Sequence, residues 1–245
     1  MSQKKAVWFE EWFNTSYYHT LYQHRDENEA EKFIDALLAY LDIPPQSKCL
    51  DLACGKGRHS IYLNKKGLDV VGLDLSQNSI QKAKQHENNH LKFDVHDMRK
   101  VYRENYFQFI FNLFTSFGYF DSNEDNLNVL TSIKKMLVKN GCLVIDFMNA
   151  TKVIENLVEK EVKSIDGVTF NIKRWTDKQH IFKQIDIDDN GDAFQFTERV
   201  QILEKADFER LLSKAGFKVK EMFGNFNLDL FNEKNSDRLI IIATN

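Results

Sequence analysis

Five short apolar runs, "KCLDL", "LDVVGLDL", "LKFDV", "YFQFIFNLF" and "CLVIDFM", follow one another between residues 48 and 148, with helix-like segments among them. Strand–helix alternation with short connections implies a parallel sheet, helices on both faces and right-handed crossovers. "RHSIYLNKK" reads as a helix that Gly67 can end, and Ser76 suits the N-cap of a helix carrying Ile80 and Ala83. "EDNLNVLTSIKKMLVK" places Leu127, Leu130, Lys134 and Leu137 at helical spacing, and the spacing predicts a stop at Asn140-Gly141.

The flanks have a different rhythm. Residues 8–41 read as two helical pieces; the second sets Phe33, Ile34, Leu37, Leu38 and Leu41 on one face before Pro44 and Pro45 stop it. From about residue 160 the runs "EVKSIDGVTFNIKRW", "HIFKQIDI" and "AFQFTERVQIL" are strand-like. Asp166-Gly167 and Asn190-Gly191 are two-residue hairpin signals, so an antiparallel meander is expected after the fifth strand. The helix "KADFERLLSKAG", with Gly216 as its cap, precedes two closing strands, "FKVKEMF" and "RLIIIAT". There is no internal repeat, low-complexity tract or linker.

In an open doubly wound sheet a ligand lies beyond the carboxyl ends of the strands. The first strand runs into "CLDLACGKGRHSIYL", Cys49 to Leu63. A dinucleotide fingerprint needs G-x-G-x-x-G, but Gly55-Lys56-Gly57 is followed by Arg58-His59-Ser60, an imperfect third position. Asp51, in the last turn of the strand, would repel a pyrophosphate and attract a cation. Asp74 ends the second strand roughly 20 residues on, where a carboxylate suits a ribose diol. Asp97, in "HDMR", suits an exocyclic amine, with Met98 against a ring. Each acid also has a plain structural reading: Asp51 capping a turn, Asp74 starting one, Asp97 solvated.

A ligand cationic near Asp51, sugar-like near Asp74 and adenine-like near Asp97 describes S-adenosylmethionine. On "LDLACGKGRHSIYL", "GLDLS", "HDM" and "NLFTSFGY" the chain resembles the class I S-adenosylmethionine-dependent methyltransferases, in a branch acting mostly on small molecules. The likeness runs motif by motif over about residues 48–149. It implies a Rossmann-like α/β fold, a seven-stranded mostly parallel sheet whose last strand is antiparallel. It also implies a single domain, 1–245, with a helical lid at 1–45, a cofactor-binding core at 46–150, an inserted β meander as substrate cap at 151–203, and a C-terminal helix and strand pair at 204–245. The implied cofactor contacts are Asp51, Ala53, Cys54, Gly55, Gly57, Arg58, Asp74, Leu75, Ser76, Asp97, Met98, Asn112 and Leu113, with Tyr17, Tyr22 and Arg25 from the lid. Ala53 stands where the commonest motif has glycine, which requires a negative φ there.

Methyl transfer is an in-line displacement that needs alignment and dryness more than a fixed base. His24, Tyr17, Tyr18 and His59 are candidate bases for an N or O acceptor. Arg58 and His59 could meet the cofactor's carboxylate or the substrate, and Phe114, Thr115 and Phe117 could wall the transferred methyl. "DIDDNGD", Asp186 to Asp192, imitates a calcium loop but has Thr197 at the twelfth position, so it reads as a hairpin tip and no metal is expected.

A net charge of -3, from 33 basic and 36 acidic residues, gives no basic excess for nucleic acid. The expected partner is a small-molecule substrate, with no nucleic acid or membrane, and a monomer or homodimer. Three cysteines without metal-ligand spacing, no apolar signal core and no membrane-length run suit a cytoplasmic protein. The 20 phenylalanines fit either an aromatic pocket or an AT-rich coding sequence.

Overall fold

The computed structural model describes residues 8–23, 27–120, 122–189 and 191–245. Three helices open it rather than the two expected: α1 (Trp8–Phe13), α2 (Ser16–Leu21) and α3 (Glu27–Tyr40). The extra break is local chemistry. Thr15 is extended, and its hydroxyl accepts the Tyr18 N–H, starting a new helix.

The alternating region follows as β1 (Lys48–Leu52), α4 (Arg58–Lys65), β2 (Asp69–Asp74), α5 (Gln77–Ala83), β3 (Leu91–Val95), β4 (Phe107–Asn112), α6 (Asn123–Met136) and β5 (Leu137–Met148). A short α7 (Ala150–Glu155) leads to β6 (Lys160–Ile165), β7 (Val168–Thr176), β8 (His180–Asp189) and β9 (Asp192–Gln201). Then α8 (Lys205–Ala215), β10 (Lys218–Phe223) and β11 (Arg238–Thr244) complete the described chain.

Seven strands form one sheet in the order β10-β11-β5-β4-β1-β2-β3. β11 is antiparallel to both neighbours, and the pairings from β5 to β3 are parallel. One face buries Leu130, Ile133, Phe208 and Leu212 of α6 and α8, and the other buries Phe33, Leu37, Leu63 and Ile80 of α3, α4 and α5. Strand order reverses between β1 and β4, so the loops after these strands diverge and leave a crevice.

The helix of residues 124–139 stops earlier than its spacing suggests. Leu137 is extended, buried and paired with Phe107 of β4, so sheet pairing overrides helical periodicity there.

The β3 end of the sheet is also shaped by close packing around one ring, that of Phe93. An ideal Cβ on Gly57 would lie 2.6 Å from the Phe93 ring, and one on Gly72 would lie 2.5 Å from it. Gly57 has φ +84 and caps α4, so sterics and backbone both demand glycine.

The expected meander is a second sheet, β6-β7-β8-β9, antiparallel throughout. Asp166 (φ 50) and Gly167 (φ 83) both lie in the left-handed region that a two-residue hairpin requires. Gly191 is similar (φ 96), while Asn190 lies outside the described residues. The N-terminal helices pack on this sheet: Trp12 and Leu21 join Phe170, Ile172, Ile185 and Ile187 in a third apolar cluster.

Candidate active site

A cavity of about 430 Å³ opens at the carboxyl ends of β1, β2, β3 and β4. Its floor is the loop after β1. Ala53 and Cys54 donate their N–H groups to Leu73 O, tying the loop to β2. Asp74, the last residue of β2, accepts the Gly55 N–H at 2.8 Å on one oxygen and the Ser76 N–H at 2.8 Å on the other. Each oxygen has a second lone pair, so the carboxylate both fixes the loop and faces the cavity.

Asp97 lines the same cavity after β3. Its carboxylate accepts Arg99 Nη2 at 2.8 Å and Arg99 Nε at 3.0 Å, and Arg99 reaches Asp125 at 3.3 Å. Burial pushes the Asp97 carboxyl up, but the Arg99 hydrogen bonds and charge outweigh it and hold the group below its ordinary value. Cys54 also lines the cavity; burial, then the Asp51 and Asp74 charges, push its thiol far up, so it stays protonated.

Of the sequence candidates, Ala53, Cys54, Gly55, Arg58, Asp74, Leu75, Asp97, Met98, Leu113 and Tyr22 line this cavity. Five others do not. Asp51 is 1% exposed and accepts Ser60 Oγ at 2.6 Å, so it lies beneath the loop rather than facing a ligand. β1 is covered on both faces, and alternation therefore could not tell which way Asp51 points. Gly57 packs on Phe93. Ser76 caps α5 and donates to Asn14 Oδ1, and Asn112 is buried and donates to Leu52 O. Tyr17 donates to Asp189 Oδ2 at 2.9 Å on the second sheet. Arg25 lies outside the described residues, as does His24. Phe117 is buried in the core rather than walling the cavity.

One further expectation changes. Ala53 has φ +66, not the negative value required of it, so an L residue holds a left-handed position in the loop. Asp51 is pushed up to about 6, first by burial and then by Asp74, against the lowering Ser60 bond.

A second cavity of about 370 Å³ adjoins the first and shares Phe13, Tyr18, Tyr22, Phe114 and Tyr119 with it. Thr115, Glu29, Glu198, Val200, Phe226 and Arg238 complete its wall. Phe114 divides the two. Its ring stacks on His59 (4.7 Å, 15°) and lies under the Arg58 guanidinium at 4.6 Å. Asp146 fixes this turn by accepting the Phe114 N–H at 2.7 Å and Arg238 Nε at 2.8 Å, and Arg238 donates to Thr115 Oγ1 at 2.9 Å.

Glu198 is the residue the sequence reading missed. Its Oε1 accepts Trp12 Nε1 and the Tyr22 hydroxyl, each at 2.7 Å, and Lys183 Nζ lies 3.7 Å from Oε2. A signal existed: in "AFQFTERV" every second residue is apolar except Glu198, a charge in a row that faces the N-terminal helices. Asp146, an acid inside "CLVIDFM", is a second such break.

His19, on the cavity wall, is pushed down to about 4 by burial and then by Lys56 and Lys82, so the ring is neutral near pH 7. Among the described residues no group of His, Cys, Asp and Glu could hold a metal, and no helix is long and apolar enough to cross a membrane.

Comparison with known proteins matches residues 44–216 to a family described as "Methyltransferase domain". YqeM of Bacillus subtilis (strain 168), provisionally named a methyltransferase, is 25% identical over 93% of this chain and 94% of its own. A Streptomyces venezuelae dTDP-3-amino-3,4,6-trideoxy-alpha-D-glucopyranose N,N-dimethyltransferase is 23% identical over 74% of this chain and 79% of its own. In fold, the chain matches the crystal structure of an S-adenosylmethionine-dependent methyltransferase from Clostridium acetobutylicum ATCC 824. The TM-score is 0.79 at 17% identity, over 93% of this chain and 95% of that one.

Proposed function

Because the chain belongs to the class I S-adenosylmethionine-dependent methyltransferase family, and is an enzyme with S-adenosylmethionine as its cofactor, we propose that it methylates N or O of a small molecule. One observation carries this reading: two cavities of about 430 and 370 Å³ meet at a shared set of aromatic side chains. The second is within the range of small-molecule sites and is lined by the N-terminal helices and the second sheet on one side and by Phe114, Thr115, Phe226 and Arg238 on the other. The amino-sugar methyltransferase among the relatives is consistent with a small acceptor.

The residues of the first cavity fit the cofactor. An ideal Cβ on Gly55 would meet nothing within 4 Å, so the loop leaves open space beside the Asp74 carboxylate. Asp74 would take the ribose hydroxyls, while Asp97 and Met98 would take the adenine. The loop of residues 53–58 would hold the methionyl part. When bound, S-adenosylmethionine supplies an electrophilic methyl group on a sulfonium. The chain's own contribution is placement and exclusion of water. Arg58 and His59 both pack on the Phe114 ring, and Asp146 accepts its N–H, so the residue between the cavities is held at side chain and main chain. Asp51 contributes charge from beneath the loop without touching the ligand. Residues 8–22 and the second sheet act as lid and cap.

Calorimetry tests the cofactor assignment: S-adenosylmethionine and S-adenosylhomocysteine should bind and NAD should not. Asp74→Ala should weaken binding about tenfold or more, about 1.4 kcal/mol or above; unchanged affinity removes Asp74 from the site. Incubation of a cell extract with labelled methyl donor should place label in the small-molecule fraction. Label confined to RNA or protein sinks the small-acceptor reading.

A further inference from the structure

Resting on the proposed small-molecule acceptor, we infer that the second cavity selects an amine, with Glu198, and the more exposed Glu29, as the negative charges that receive the cation formed at nitrogen. In the transfer, the acceptor nitrogen's lone pair forms the N–C bond while the C–S bond breaks and its electrons go to sulfur. A neutral amine becomes an alkylammonium, so one positive charge moves from the first cavity into the second. Groups that favour positive charge there act more strongly in the transition state than in the ground state.

The wall of the second cavity has that character. Its charged residues are Glu29, Glu198 and Arg238. Arg238 is paired with the fully buried Asp146 at 2.8 Å and Glu198 with Lys183, so the lining itself carries two carboxylates against one guanidinium, an excess of one negative charge on a largely aromatic wall. Aromatic faces add to the attraction for ammonium. Lys183 lies 3.7 Å from Glu198 but is not part of the wall.

A hydroxyl acceptor has a different need, because its proton must leave as the methyl arrives and a free base must take it. Among the described residues no histidine lines this cavity. Glu198 Oε1 accepts from the Trp12 indole and the Tyr22 hydroxyl, and Oε2 is also 2.8 Å from that hydroxyl. Held by these two donors, the carboxylate is a stationary charge suited to receiving a cation. The amine's own proton goes to solvent before attack.

The test uses the full chain and matched probes: glycine with glycolate, 2-phenylethylamine with 2-phenylethanol, and cyclohexylamine with cyclohexanol. Binding to the S-adenosylhomocysteine-loaded protein is read by ligand-observed NMR, and transfer by labelled methyl donor. Amines should bind at least tenfold more tightly than their hydroxyl partners, and label should appear on nitrogen. Glu198→Gln should cost at least tenfold in amine affinity and Glu29→Gln a few-fold, with S-adenosylhomocysteine affinity unchanged within twofold. Hydroxyl probes binding or reacting as well as amines overturns the inference, and so does a protein that binds S-adenosylhomocysteine but none of the amines. The wild-type comparison of paired probes decides even where Glu198→Gln fails to fold. Loss of S-adenosylhomocysteine binding itself strikes the cofactor assignment instead, so the two failures are distinct.

Discussion

The two cavities are neighbours built in opposite ways. The first is held by main chain: Asp74 grips the Gly55 and Ser76 N–H groups, Ala53 and Cys54 bond to β2, and the loop sits where Phe93 admits only glycine. The second is held by side chains reaching across the fold, Trp12 and Tyr22 to Glu198 and Tyr17 to Asp189. Backbone grips persist as long as the sheet does. Side-chain latches can open one at a time, so the cofactor half should share the global stability and the outer half should open locally.

The contrast breaks most visibly at Gly57. Gly57→Ala forces a Cβ into the Phe93 ring at φ +84, and about 2–5 kcal/mol of global stability should go. A loss below about 1 kcal/mol in chemical denaturation would show that the loop is softer than described.

Asp51→Asn should act in the other direction. The folded carboxyl sits near 6 against an ordinary 3.8, so between those values the folded form keeps a proton that the unfolded chain has lost. Native stability therefore falls as pH rises across that window, by about 2–3 kcal/mol. The asparagine variant should be more stable by that amount at pH 7.5, and the gain should vanish as pH falls towards 4. It should also bind S-adenosylmethionine more weakly, since the buried charge is gone. Equal stability at pH 7.5 and 4 would remove the burial argument.

Tyr17→Phe deletes one latch of the outer half and should lower hydrogen-exchange protection in α2, leaving β1 and β2 unchanged. Protection lost equally everywhere would erase the distinction between the halves. Smallest of all, Ala53→Gly should stabilise by about 0.5–1 kcal/mol. Relief of the left-handed alanine slightly exceeds the added freedom of glycine in the unfolded chain.

Sequence legibility divides along the same line. Asp74, Asp97 and the glycine loop could be placed because strand ends and loop spacing are local. The Asp166-Gly167 hairpin was readable for the same reason, while the seven-stranded sheet came from the family resemblance rather than from local spacing. Asp51 was located but not oriented, because a strand covered on both faces gives no alternation. Glu198 and its partners are 176 and 186 residues apart in the chain, a distance across which no local pattern speaks. The early end of α6 likewise came from Leu137 pairing with Phe107.

The latches joining residues 8–22 to β8 and β9 have a consequence for building chimeras. Transplanting the second sheet from a relative without its N-terminal helices would set foreign side chains against Trp12, Tyr17 and Tyr22. Inheritance of acceptor choice should follow the matched pair, exchanged together, while the glycine loop and its acids stay behind as a common chassis.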